Sequence, residues 1–241
     1  MVPPGDVDHV RARIAISAAF PVRVLSEDLV CPTLSGHRGW HKQQILKLAA
    51  AKVVATSWYL TLDADVMLRR AASSDDLVRD GKAVFHAKRA ARHWEWWMGS
   101  RTILRSAVQL DPDMEMMDVT PEILHRDTAL ELLAEIGRRN EAMEAERFLF
   151  EHRAVGWTEY SLYWLFVLEQ QLQNQLYRAG RSLYEMAWRP EHVAPLAQRW
   201  GDDDEEPLFC ILQSTLEIPI QEVEDLMRRA PASTSPSRTT G

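Results

Sequence analysis

Two carboxylates one residue apart, Asp63 and Asp65, are the side chains with the plainest chemical use in the chain. They lie in the stretch WYLTLDADVMLRR (58–70). Tyr59, Leu60, Thr61 and Leu62 form an apolar, β-prone run before them, and Val66, Met67 and Leu68 are apolar again after them. A buried strand that stops at an acidic pair has the form of a strand edge opening into a site. In an extended segment, residues two apart point to the same side. Asp63 and Asp65 are therefore expected to face one space, with Cα atoms about 6–7 Å apart. Like charges that close are costly unless a cation lies beside them. A hard divalent ion, Mn²⁺ or Mg²⁺, takes carboxylate oxygens and leaves coordination positions for substrate phosphates. The plainer reading of the same tripeptide is an Asp-x-Asp turn with solvated side chains.

The pair needs elements to hold it. Upstream, GWHKQQILKLAAAKVV (39–54) is an amphipathic helix carrying Gln43, Gln44 and Lys47 along part of its surface, followed by a turn into the strand. Before it, residues 7–20 are expected to be helical through Val10, Ile14 and Ala18, and VRVLSEDLV (22–30) alternates enough for a strand. Downstream, SSDDLVRDG (73–81) is a capped helical turn stopped by Gly81. KAVFHAKR (82–89) and MEMMDV (114–119) read as short strands, and RHWEWWMGSRTIL (92–104) as a helix with Trp94 and Trp97 on one side. Thr120 and Pro121 have the form of a cap and an N1 proline opening a helix to residue 140. Residues 141–157 continue helically to Gly156.

The strongest helix covers 157–180, with Thr158 as cap, Glu159 in its first turn and Gly180 as stop. A short strand (181–188), an acidic turn GDDDEEP (201–207), a late strand LFCILQSTLEI (208–218) and a closing helix (219–230) follow. Alternating strands and helices argue an α/β fold. Residues 1–230 are expected to form a single domain, and residues 231–241 a disordered tail.

Composition narrows the classes. A chain of 241 residues, 46% hydrophobic and 26% charged, holds one full core and is globular for nearly all its length. A net charge of −7 argues against non-specific binding to nucleic acid, although a metal can still bridge acidic protein to an anionic substrate. Cys31 and Cys210 do not make a disulfide framework. No stretch has the length of a membrane span, and the first residues, with their acids and prolines, do not read as a signal peptide. A cytoplasmic location is expected.

Four motifs in order, GWHKQQILKLAAA, YLTLDADV, VTPEIL and WTEYSLYWLF, resemble a poorly characterised family of GT-A-like glycosyltransferases, over roughly residues 35–225. The resemblance implies a GT-A-like, Rossmann-like mixed sheet flanked by helices. Because no apolar strand precedes residue 22, the usual first βα unit of such a fold is missing or replaced by residues 7–30. The resemblance further implies a nucleotide-sugar donor, a hydroxyl-bearing acceptor (a glycan or small molecule), and a metal on Asp63 and Asp65 that carries the diphosphate. Gln43, Gln44 and Lys47, with Asp63, become donor-binding candidates, and the strand end at 117–120 would face donor or acceptor. Glu159 matches the place where inverting GT-A enzymes carry their catalytic base.

Two other classes compete. A haloacid dehalogenase-type phosphohydrolase also sets an Asp-x-Asp after an apolar strand, with the first Asp as nucleophile. A non-catalytic GT-A-like module with impaired donor binding would keep the fold and lose the reaction.

Overall fold

The computed structural model describes residues 1–17, 21–187, 189–198 and 207–228. Helix α1 (Val7–Ser17) and the single turn α2 (Glu27–Val30) precede α3 (Trp40–Ala49). Strands β1 (Trp58–Thr61) and β2 (Val66–Leu68), the turn α4 (Ser74–Leu77), and strands β3 (Val78–Arg79), β4 (Lys82–Phe85) and β5 (Ala87–Arg89) come next. After them run α5 (Trp94–Leu104), β6 (Glu115–Met117), β7 (Glu122–His125), α6 (Arg126–Arg139), α7 (Ala145–Glu151), α8 (Glu159–Glu169) and α9 (Gln173–Leu176). Strands β8 (Tyr177–Ala179) and β9 (Tyr184–Ala187), helix α10 (Pro190–Gln198), β10 (Phe209–Leu212) and α11 (Ile220–Arg228) complete the series.

The architecture is mixed α/β, but the strands form small separate sheets: β1–β7, β2–β10–β9, β3–β4–β8 and β5–β6. Parallel pairs (β10–β9, β4–β8) and antiparallel pairs (β10–β2, β3–β4) coexist. The described chain falls into two compact units, each built from three chain segments. Sequence reading expects one domain. Because each unit interleaves distant segments, no composition shift marks a boundary between them.

The first unit takes in Met1–Tyr59, Lys88–Met117 and Leu124–Gln175. Its centre is α8, whose sequence EYSLYWLFVLE is apolar on nearly every side and is buried accordingly from Glu159 through Val167. The Thr158 hydroxyl accepts from the Ser161 backbone N–H, and the Ser161 hydroxyl oxygen accepts from that of Thr158, so two free N–H groups are satisfied reciprocally. Helix α5 meets the chain just before α8 at Gly99. A Cβ there would lie 1.8 Å from the Gly156 carbonyl oxygen, so only glycine permits this approach.

The second unit takes in Leu60–Ala87, Asp118–Ile123 and the chain from Leu176 on. In it β10 is central, antiparallel to β2 and parallel to β9. Ala187, Leu196, Cys210 and Leu212 form a core with Met67, Val193 and Val223 packed against it.

The structure departs from the sequence reading in several elements. Residues 22–30 are not a strand: the Ser26 hydroxyl accepts from the Asp28 backbone N–H and, with Glu27 and Asp28, starts a helical turn. Thr120 and Pro121 do not open a helix. Their peptide bond is cis, and the buried run that follows is β7, paired with β1, so the helix begins only at Arg126. The segment 141–157 is not continuous helix, because Glu141 and Ala142 take left-handed conformations between α6 and α7. The long helix stops at Glu169, where Gln171 is left-handed (φ 57°) and the Leu172 N–H returns to the Val167 carbonyl. The polar QQLQNQ stretch leaves the core there, and Tyr177 joins β8 alongside β4. Ala18, the run 201–206 and the tail 231–241 lie outside the described residues.

Candidate functional site

Strand β1 stops at Thr61, and the chain turns rather than staying extended. The Val66 N–H donates to the Asp63 carbonyl at 3.2 Å, placing Ala64 and Asp65 at the corner of a tight turn into β2. The expected alternation of an extended Asp-x-Asp is thus replaced by a turn that carries both partly exposed carboxylates. The turn is held from two directions within the second unit. On one side, the Asp63 backbone N–H donates to the Thr120 hydroxyl oxygen at 3.2 Å, and the Thr61 hydroxyl donates to the Glu122 carbonyl at 3.0 Å. On the other, the Leu212 N–H donates to the Asp65 carbonyl at 3.1 Å, and the Ser214 N–H to Asp65 Oδ2 at 3.3 Å.

The segment carrying Thr120 and Glu122 begins at Asp118, whose side chain is fully buried. Tyr184, at the start of β9, donates its hydroxyl to Asp118 Oδ2 at 2.5 Å. His86, directly after β4, brings Nδ1 to 3.7 Å from the same oxygen. Glu122 is wholly buried, and neither carboxyl oxygen makes a hydrogen bond of normal geometry. Burial pushes its pKa well above the usual carboxylate range, and the Asp118 carboxylate pushes it further, with the Asp118 backbone N–H opposing in part. The carboxyl beside Asp118 is therefore held toward its neutral form.

The other candidates from sequence fall in the first unit. Gln43 is exposed on α3, whereas Gln44 and Lys47 are buried. Lys47 Nζ donates to Glu159 Oε1 at 2.8 Å and lies 5.1 Å from the centre of the Tyr160 ring. In the amide orientation that satisfies its neighbours, Gln44 also donates to the Glu159 carboxylate and accepts from Trp40 Nε1. Tyr59 donates to the Lys47 carbonyl at 3.1 Å, its own hydroxyl pKa raised well above normal by burial and by Tyr163, Tyr160 and Glu159. Glu159 has no exposed surface. Its carboxylate is bound to Lys47 inside the helix packing, an arrangement that fastens α3 to α8 and offers nothing to an acceptor hydroxyl.

The family model of DUF6492, a family of unknown function, matches residues 1–232. The chain belongs to the DUF6492 family. No curated protein matches it. The region matched to DUF6492 holds the acidic turn, the Asp118 cluster and the α3–α8 ion pair alike. It also holds a cavity of about 650 Å³ in the first unit, where His37 packs on Phe150 at 4.4 Å and Arg153 lies over the same ring at 4.8 Å. Cys31 and Cys210 are both free thiols, and burial raises Cys210 to about 12, too high for a nucleophile. Among the described residues, no helix is long and apolar enough to cross a membrane.

Sequence reading missed His86, Glu122 and Tyr184, and it reached Asp118 only as part of the strand end at 117–120. Two carry the signal that exposed Asp63: His86 follows the apolar AVF, and Asp118 follows MEMM, each a polar residue where an apolar strand ends. Lys42, in the first turn of α3, is buried and paired with Glu27 at 2.8 Å.

Proposed function

We propose that this chain is a metal-dependent glycosyltransferase on a GT-A-like fold, moving a sugar from a nucleotide-sugar donor to a hydroxyl acceptor. The observation that supports this reading is the acidic turn: a strand stops, and Asp63 and Asp65 stand at its end on a backbone tied to Thr120 and Leu212. Two partly exposed carboxylates on a fixed turn fit Mn²⁺ or Mg²⁺, whose remaining positions suit water and diphosphate oxygens. Among the described residues, no three His, Cys, Asp or Glu side chains group to hold a metal. A divalent ion on the pair supplies charge neutralisation to the departing diphosphate. Asp63 and Asp65 bind and orient, while their backbone anchors fix where the diphosphate lies. Gln44, Lys47 and Glu159 are assigned to holding α3 on α8, which moves the role of base elsewhere.

Titration calorimetry with Mn²⁺ and UDP or GDP tests the reading. Metal alone should bind weakly and nucleoside diphosphate markedly tighter with metal present, and Asp65→Asn should abolish the coupling. Unchanged diphosphate affinity in Asp65→Asn with metal present sinks the assignment. Release of inorganic phosphate from an aryl phosphate, lost in Asp63→Asn, would point instead to haloacid dehalogenase-type chemistry.

A further inference from the structure

We propose that one face of the β3–β4–β8 sheet binds a phosphomonoester, with Arg178 as its anchor and Arg79 as its second ligand. The site shares no residue with the acidic turn, needs no metal, and does not rest on the transferase reading.

Register puts the cations on one face. Strand β3 turns into β4 through Asp80 and Gly81, both left-handed at φ 53° and 74°, the pattern of a two-residue type I′ hairpin. Arg79 and Lys82 are direct cross-strand partners, and Val84 stands opposite Arg178 in the parallel strand β8. Paired residues share a face, and so do residues two apart along a strand. Arg79, Lys82, Val84 and Arg178 therefore lie on one side. Gly180 agrees with this placement, since a Cβ there would stand 2.4 Å from Val84 Cγ1. The other side carries Ala83 and Tyr177 and turns inward: Tyr177 is 4% exposed and donates its hydroxyl to the Ile123 carbonyl at 2.9 Å. On the cationic side Arg79 is exposed and Arg178 half-buried.

An arginine carries five donors and no acceptor, and it is charged at every working pH. Among the described residues, neither Arg79 nor Arg178 has an ion pair or a side-chain hydrogen bond, and Arg178 Nε is buried without an acceptor. Lys82 is engaged within the protein and is not counted as a ligand. A half-buried guanidinium with no counter-charge is costly, and in a chain of net charge −7 such an arginine invites an anion from outside. Two strand spacings and a two-residue offset set the Arg79 and Arg178 Cα atoms about 12 Å apart, a gap that two long side chains close around one small anion. A carboxylate's two oxygens are filled by a single guanidinium fork. A phosphomonoester, with a charge of about −1.5 to −2 and three terminal oxygens, accepts from both arginines at once. That group reaches an open sheet face either on a soluble phosphorylated molecule or as a lipid headgroup.

The test uses the full chain in EDTA, which keeps metal-dependent diphosphate binding out of the measurement. Arginine Nε–H signals, with Arg178 assigned by its loss in Arg178→Gln, are followed by NMR as glycerol 3-phosphate is added at constant ionic strength. In parallel, the protein is sedimented with phosphatidylcholine vesicles with and without phosphatidic acid. A saturable shift of the Arg178 signal identifies the soluble source. Co-sedimentation only with phosphatidic acid, without that shift, identifies the headgroup. In either case Arg79→Gln, an exposed change that leaves the fold alone, should weaken binding roughly tenfold or more, and Arg79→Glu should abolish it. Neither a saturable shift nor vesicle binding in the wild type overturns the proposal. Binding that stays within twofold of wild type in Arg79→Glu or Arg178→Gln overturns it as well, because the anion then lies elsewhere.

Discussion

Lys47 and Glu159 show how differently a residue reads once its neighbours are known. A glutamate in the first turn of a helix suits a base held ionised by the helix end. Wholly buried against Lys47, it is a structural ion pair instead, and such pairs respond to substitution in a recognisable way. Removing one partner leaves a buried charge uncompensated and costs about 3–5 kcal/mol, while replacing both by apolar residues of similar size is far milder. Glu159→Gln should therefore lower the melting temperature substantially, and the double variant Lys47→Met, Glu159→Leu should recover much of the loss. A melting temperature within about a degree of wild type in Glu159→Gln, together with a large loss of turnover, would return Glu159 to the role of base.

Glu122 makes a second prediction at this scale. Its folded pKa is raised above the usual 4.5. The stability it contributes is thus fully present below that value and is lost as pH rises through the folded one. Glu122→Gln cannot ionise, so chemical denaturation from pH 4.5 to 8 should show the variant gaining on wild type as pH rises. A difference that stays constant across the range refutes the shift.

Among the elements, α8 and α5 depend on one atom that is not there. Gly99 lets the α5 backbone lie against Gly156, itself left-handed at φ 81°, and beside it the Ser100 and Ser161 hydroxyls are 2.6 Å apart. An alanine would ordinarily favour a helix over glycine by about 1 kcal/mol. Here its Cβ would collide with backbone that cannot rotate away, and overpacking of that kind costs about 1–3 kcal/mol or more. Gly99→Ala should thus lower the denaturation midpoint despite its better helix propensity. A raised midpoint would show that the two segments separate at little cost.

At the scale of the molecule, each unit is closed by segments remote in sequence. Strands β2 and β4 lie before residue 86, yet their partners β10 and β8 come after Leu176. Ending the chain after Gln175 removes those partners and leaves β2 and β4 with open edges. Hydrogen exchange on that fragment should keep protected amides in α8, whose packing partners α3, α5 and α6 all remain, and lose protection across residues 66–85. Retained protection in β4 would show that this sheet forms without β8.

The sequence alone determined what depends on local chemistry. The apolar run that ends at Asp63, the Thr158 cap, the Ser73 cap and the all-round apolar α8 are each specified within a few residues, because caps and side-chain periodicity act at that range. Only the tertiary structure decided the features set by partners far along the chain. Pairing with β1 made a strand of residues that, after Thr120 and Pro121, read as helix. Pairing with β4 took Tyr177 into a strand where the sequence continues helically. The meeting of His86, Asp118 and Tyr184 joins three strand ends spread over about a hundred residues of chain, and no local pattern encodes which strand ends will meet. Lys47 and Glu159 stand 112 positions apart. Their burial, which sets the cost of each charge and hence what each can do, exists only once α3 and α8 have packed.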